Sequence, residues 1–275
     1  MRIKSTAFNS LFIPTMVLLL FSFGCKRSES VTRNESVTKN EPATTEAKVH
    51  WSYEGETGPC NWGHLESDYA LCGTGTSQSP INIVDVNAVK SDLPDIFITY
   101  QSAIDTLVNN GHTVQSTVPA GSSIQINGTR YELLQFHFHS FSEHTFEGKH
   151  AQAELHLVHK NSTTGVLAVL GVPINAGAEN TAYNVILNNL PQTEGATYTL
   201  TSALNAETLL PTDRRTYRYD GSLTTPACTE GVKWNVIKTG VAFSPAQLEK
   251  FRKLFKDNYR PVLPLNGRVV QYDTL

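Results

Sequence analysis

The sequence lacks most of the features by which a chain announces its function. Its 22 Lys and Arg residues are scattered over 275 positions with no run longer than two, so no patch is expected to follow a phosphate backbone and no nucleic-acid partner is expected. Helix signals are few, which argues against a helical architecture. No His-Glu-x-x-His is present, which removes the usual helical zinc-peptidase arrangement. After residue 50 there is no linker, internal repeat or low-complexity stretch, so 50–275 reads as one domain. A net charge of -3, with 17% charged and 40% hydrophobic residues, is that of an ordinary soluble protein.

The beginning of the chain is different. Arg2 and Lys4 precede an apolar run over 11–23 that is interrupted by Pro14, the layout of a signal peptide over 1–24. The run is too short to favour a spanning helix. Ser22-Phe23-Gly24-Cys25 resembles a bacterial lipoprotein cleavage site, although Ser22 replaces the usual aliphatic residue. A lipid on Cys25 would tether the protein to a membrane without embedding it, and that lipid is the only membrane contact expected. Plain secretion with Cys25 removed is the alternative. Residues 25–49 are rich in Ser, Thr, Glu, Lys and Asn and read as a flexible tether. The protein is therefore expected to be exported, either periplasmic or a membrane-tethered lipoprotein.

Only four cysteines are present, at 25, 60, 72 and 228. An exported chain can keep disulfides. If Cys25 carries lipid, one of the other three is left over, and spacing does not choose among the pairs. All three can instead be small buried hydrophobes. A bridge joining Cys72 to Cys228 would close a long loop, for which the chain-entropy model gives about 5 kcal/mol.

What is present is short alternating runs. Segments 96–100, 123–126, 131–139, 154–159, 166–172, 232–237 and 268–272 read as strands. Asn127-Gly128 is a hairpin turn between two of them. Ser244-Pro245-Ala246-Gln247 opens a helix with a capping box, continued by Leu248, Phe251, Leu254 and Phe255 at helical spacing. A second helix is predicted over 182–190, before Pro191.

Chemistry enters at Gln135-Phe136-His137-Phe138-His139 and at Glu154-Leu155-His156. On a strand Gln135, His137 and His139 share one face, and Glu154, His156 and Val158 share one face of a second strand. Pairing the two would gather three imidazoles, the ligand set of a catalytic zinc with an open position for water. Two core histidines bonded to backbone carbonyls would give the same His-x-His. The zinc reading is favoured by the acceptor two residues before a histidine on each strand, Gln135 and Glu154, because metal-bound imidazoles donate their second N–H to such groups.

With Gln135-Phe-His-Phe-His139, Ser142-Glu143-His144-Thr145, Glu154-Leu-His-Leu-Val-His159 and Gly221-Ser-Leu-Thr-Thr-Pro226 in view, the chain resembles the α-class carbonic anhydrases, bacterial branch. Gln78-Ser-Pro-Ile-Asn-Ile83, Asn109-Asn-Gly-His112 and Trp51-Ser-Tyr53 fit too, so the resemblance spans 50–275. It implies a mainly β fold, a single domain on a large twisted, mostly antiparallel central sheet with a few short peripheral helices. It implies Zn²⁺ on His137, His139 and His156, with Gln135, Glu154 and the backbone around Asn266 as acceptors. The reaction implied is the reversible hydration of CO₂ to bicarbonate and a proton by zinc-bound hydroxide.

Further roles follow from the same resemblance. Thr224 would take the hydroxide's proton in a hydrogen bond and pass its own to Glu143. Val158, Val169, Leu223, Thr225 and Trp234 would surround an apolar recess for CO₂. His112 would shuttle protons through water ordered by Tyr53, Asn110 and Gln115, while His144, His150 and His159 are expected to be structural and His50 to lie on the surface. Gln115 stands where the best-known members have asparagine. The bacterial branch implies a Cys72–Cys228 disulfide, which leaves Cys60 as a spare thiol. Pro226-Ala227 replaces a Pro-Pro that often carries a cis bond, and cis costs about 3 kcal/mol or more before Ala. A non-enzymatic, surface-displayed binding module of the same fold is the competing reading. Nothing in the sequence chooses between monomer and dimer.

Overall fold

The structure, a computed structural model, describes residues 50–274. The expected signal peptide over 1–24, the tether over 25–49 and Cys25 lie outside the described residues. In chain order the strands are β1 (Asn82–Ile83), β2 (Val89–Ser91), β3 (Ile96–Thr99), β4 (Thr106–Asn109), β5 (Val114–Thr117), β6 (Ser123–Ile126), β7 (Thr129–His139) and β8 (Thr145–Phe146). They continue with β9 (Lys149–His150), β10 (Ala153–Lys160), β11 (Leu167–Ala176), β12 (Thr197–Thr199), β13 (Thr216–Ser222), β14 (Glu230–Ile237), β15 (Val241–Phe243) and β16 (Gln271–Asp273). The α-helices are short: α1 (Trp62–Leu65), α2 (Leu71–Thr74), α3 (Asn184–Leu187) and α4 (Pro245–Arg252).

Thirteen of these strands form one sheet, whose main path runs β12-β4-β5-β7-β10-β11-β14-β13-β16-β2. Its ladders are antiparallel except where β11 meets β14 and β15 and where β16 meets β2. The sheet is therefore mixed at its centre, within the mainly β fold expected. The last predicted strand is shorter than its apolar pattern, starting at Gln271.

Strand β7 does not keep a single alternation. Tyr131 and Leu133 face the core, and so do Phe136 and Phe138, which differ from them in parity. The switch occurs at a bulge, where the partner of Val158 is Gln135 and that of His159 is Leu133, leaving Leu134 out of register and exposed. An inserted residue turns the following side chains to the other face. Phe136 and Phe138 thereby join Leu155 and Leu157 in the main core, against Tyr183, Ile186, Leu248 and Phe251 from the helical side. Truncating either phenylalanine to Ala should cost about 3–5 kcal/mol.

Helix α4 begins as its sequence requires. Ser244 Oγ accepts from Gln247 N–H at 3.3 Å, and Gln247 Oε1 accepts from Ser244 N–H at 3.1 Å. The predicted 182–190 helix is broken into a single 3₁₀ turn, Thr181–Tyr183, followed by α3.

Cys72 and Cys228 form a disulfide across 156 positions, tying α2 to the loop that follows β13. Cys60 is disulfide-bonded as well and no described cysteine is free, so the expected spare thiol is not found. The Pro226–Ala227 peptide is cis.

Candidate metal centre

The antiparallel pairing of β7 and β10 sets His137 opposite His156 and His139 opposite Glu154. Ring centroids lie 5.0 Å apart for His137 and His139, 5.3 Å for His137 and His156, and 4.6 Å for His139 and His156. One nitrogen from each lies within 4.8 Å of the others. The three candidate ligands are thus brought together by register alone.

Each imidazole is anchored through its other nitrogen. His137 Nδ1–H donates to Gln135 Oε1 at 2.8 Å, and His156 Nε2–H donates to Glu154 Oε1 at 3.0 Å. His139 Nδ1–H donates to the carbonyl of Asn258 at 2.7 Å. The expected acceptor near Asn266 is therefore corrected to Asn258. Asn266 is exposed and its amide donates to the Thr76 carbonyl, because a segment eight residues earlier is the one that reaches β7. Anchoring fixes each tautomer. The nitrogens turned inward are His137 Nε2, His139 Nε2 and His156 Nδ1.

The donor set fits a metal ion. His139 Nε2 is buried without a hydrogen-bond partner, an orphan that native interiors rarely leave. Burial, followed by the like neighbouring imidazoles, pushes His137 well below the usual histidine range, and burial also lowers His139. Both are therefore held in the neutral, ligating form. Burial would raise Glu154, but His144 and His156 outweigh it and hold the carboxyl well below the carboxylate range. Gly171 stands opposite His156 on β11, where a Cβ would come within 2.9 Å of Glu154 Oε1. A side chain there would displace the acceptor.

Glu143 is fully buried. Its Oε1 accepts from Arg260 N–H at 2.9 Å, whereas Oε2 has no hydrogen-bond partner and lies 3.5 Å from His139 Nε2 and 3.8 Å from His156 Nδ1. The expected Thr224–Glu143 hydrogen bond is not formed, since Oε2 turns toward the imidazoles. Thr224 is buried on the loop after β13, whose end is tied by the disulfide, and Thr225 precedes the cis bond there by one residue. His144 has both ring nitrogens engaged, Nδ1 with Glu154 at 2.7 Å and Nε2 with the Tyr219 hydroxyl at 2.7 Å. It braces the acceptor from behind.

Beside the imidazoles, register places Val158, Val169 and Trp234 directly next to one another on β10, β11 and β14. With Leu223 they belong to a second apolar cluster, distinct from the main core. The Trp234 ring lies 4.9 Å from His156, and its Nε1–H donates to the Ser222 carbonyl at 2.9 Å.

His112 sits on the turn between β4 and β5. Its ring stacks on Trp51 at 3.6 Å, and His50 lies 5.0 Å away. Burial, then the neighbouring His50, lowers its basicity below the usual histidine value. Asn110 Oδ1 accepts from the His112 and Thr113 N–H groups, so it shapes the turn. Tyr53 meets His112 edge-on at 6.3 Å, and burial with the Glu143 charge raises its phenol well above the usual value. Gln115 pairs with His137 in the β5–β7 ladder. Sequence reasoning missed Asn258 and Arg260, which lie in a segment without periodicity, and the stacking of Trp51 on His112, for which the adjacent aromatics were the available signal.

Comparison with known proteins agrees with this geometry. Residues 57–274 match the family model of the eukaryotic-type carbonic anhydrases. A carbonic anhydrase of Nostoc sp. is 45% identical over 226 residues, covering 81% of this chain and 85% of the relative. One from Klebsiella pneumoniae is 46% identical, covering 80% and 90%. The α-carbonic anhydrase of Thermovibrio ammonificans, solved with the inhibitor sulfanilamide, superposes with a TM-score of 0.79 at 44% identity, covering 82% of this chain and all of that one. The chain belongs to the α-carbonic anhydrase family, and it is a carbonic anhydrase.

Proposed function

We propose that this chain is a zinc-dependent enzyme that converts CO₂ and water reversibly to bicarbonate and a proton, with Zn²⁺ held by His137, His139 and His156. The observation that carries the reading is the trio of imidazoles, two buried and His137 half-buried, each anchored through one nitrogen, with the other turned inward. When bound, Zn²⁺ lowers the pKa of a water from 15.7 to about 7, which makes hydroxide available at neutral pH to attack CO₂.

The chain's own residues do the rest. Gln135, Glu154 and the Asn258 carbonyl hold the rings in the tautomer and orientation that ligation needs. Thr224 offers a hydroxyl and Glu143 a carboxylate oxygen without a partner, and for the two to orient the attacking oxygen Glu143 Oε2 would have to turn from the imidazoles toward Thr224. Val158, Val169, Leu223 and Trp234 form an apolar cluster beside the imidazoles, and with Thr225 at the loop they would give CO₂, which has no charge to be recognised, an apolar surface to rest on.

The released proton must reach solvent. Direct transfer to water from a group of pKa near 7, with return at the diffusion limit, caps turnover near roughly 10³ s⁻¹. Enzymes of this chemistry reach on the order of 10⁶ s⁻¹, so an internal acceptor is needed. His112 takes that role, with Tyr53, Asn110 and Gln115 lining its path. The lowered basicity of His112 keeps it neutral, hence ready to accept, at pH 7.

The Cys72–Cys228 disulfide supports export, since such bonds persist in oxidising compartments. Together with the signal-peptide layout it supports an exported, periplasmic protein; a lipid tether on Cys25 is the further proposal, and it requires that Cys25 is not the partner of Cys60. Mass spectrometry of the mature N-terminus tests this: a diacylglyceryl-modified Cys25 is expected, and an unmodified terminus beyond Cys25 contradicts it. For the reaction, stopped-flow CO₂ hydration by the zinc-loaded protein should run far above the buffer rate; a rate equal to buffer would refute the proposal.

A further inference from the structure

Asn258 does more than lend a carbonyl to His139. It is 2% exposed, and its side chain makes three hydrogen bonds. Oδ1 accepts from Ser140 N–H at 2.7 Å, while Nδ2 donates to the His112 carbonyl at 2.9 Å and to the Phe138 carbonyl at 3.1 Å. The orientation of the amide is forced, because a backbone N–H requires an acceptor and two carbonyls require donors. Aspartate, an acceptor only, can satisfy the first and not the other two.

These partners belong to different parts of the site. Phe138 and Ser140 flank the ligand His139 at the end of β7, and His112 lies on the β4–β5 turn. Thr113 Oγ1 donates to the same Phe138 carbonyl at 2.6 Å, and Asn110 closes the turn from within. Stacking on Trp51 limits the His112 ring and Asn110 holds its backbone N–H within the turn, but the bond that ties its backbone to the ligand strand comes from Asn258. We infer that the Asn258 side chain is a positioning residue, which fixes the proton-accepting imidazole of His112 relative to the metal-ligating strand. The inference rests on the proposed roles of His112 and the zinc site.

The test uses the full-length protein carrying Asn258→Asp, with Asn258→Ser as companion, loaded with zinc. In weak buffer kcat should fall about tenfold while kcat/KM changes less than about threefold, because His139 keeps its anchor on the Asn258 backbone carbonyl and Phe138 keeps Thr113 Oγ1, whereas the bond to the His112 carbonyl is lost. Added imidazole should restore kcat. Amide exchange at His112 and Thr113 should accelerate, with or without zinc, while exchange in β10 stays as in the native protein. The inference is overturned if a folded variant keeps native kcat, imidazole response and turn exchange, or if kcat and kcat/KM fall together without rescue by imidazole. Should neither variant fold, exchange in the native protein decides: His112, Thr113 and Ser140 amides must open as one unit, and independent opening of the turn contradicts the clamp. A native protein without hydration activity would remove the functional reading, yet leave the exchange result legible.

Discussion

His156 and His159 lie three residues apart on β10, both fully buried, and their surroundings differ in one respect that decides their chemistry. Ring Nε2 of His159 meets the Tyr100 hydroxyl at 2.7 Å and its Nδ1–H donates to the Ala168 carbonyl at 3.2 Å, so both nitrogens are satisfied by the fold. Burial pushes its pKa down to about 3, and it stays a neutral core residue. His156 has one nitrogen on Glu154, and the other faces the inward nitrogens of His137 and His139. Burial alone therefore does not mark a ligand. A buried imidazole anchored on one side only does, and His144, saturated on both sides, falls with His159.

The contrast is broken most severely by His139→Ala. One inward nitrogen is lost, so the protein should retain no stoichiometric zinc and its hydration rate should drop to that of buffer, as metal analysis and stopped-flow will report. His112→Ala should come next. With zinc still bound, kcat should fall toward roughly 10³ s⁻¹ in weak buffer, and imidazole should restore it. The acidic limb of the native kcat profile should lie below pH 6.5, since His112 sheds its proton at lower pH than an ordinary histidine.

Gln135→Ala removes an anchor and leaves the inward nitrogen in place. Zinc affinity should weaken by about 10–100-fold, measured by chelator competition, with activity recovering in excess zinc. On the other side of the comparison, Tyr100→Phe strips a partner from His159. It should lower stability in urea by about 1–3 kcal/mol and leave zinc affinity unchanged. A loss of zinc in that variant would erase the distinction between the two histidines.

The smallest effect concerns Asp105, where a carboxyl is satisfied on one side only. Ser116 donates to Oδ2 at 3.1 Å, whereas Oδ1 is buried without a partner. Burial raises its pKa from 3.8 to about 6. The folded state thus holds this proton longer than the unfolded one, and the contribution of Asp105 to stability declines as pH rises from about 4 to 6. Asp105→Asn should abolish that slope in pH-dependent urea titrations; an unchanged slope assigns it to other groups.

Much of the site was legible because it depends on alternation along two strands. His137, His139 and their acceptor Gln135 share a face through period two, and the same holds for Glu154, His156 and Val158. The capping box of α4 was legible because its bonds are local. What alternation missed has long-range causes. A straight β7 would have set Tyr131 and Leu133 on the histidine face, and only the bulge at Leu134 sends them to the core. Asn258 reaches His139 from 119 positions away, so no local pattern distinguishes it from Asn266. The 182–190 segment forms a 3₁₀ turn and then a single short helix, and its Tyr183 hydroxyl donates to the Leu209 carbonyl, a partner no local pattern announces.

The central claim is that three imidazoles and no other protein group hold the metal. X-ray absorption at the zinc edge of the purified protein tests it most directly. The account predicts one zinc per chain with three imidazole nitrogens at about 2.0–2.1 Å and one further light atom from solvent. A sulfur, a fourth imidazole or a protein carboxylate in the coordination shell would contradict it.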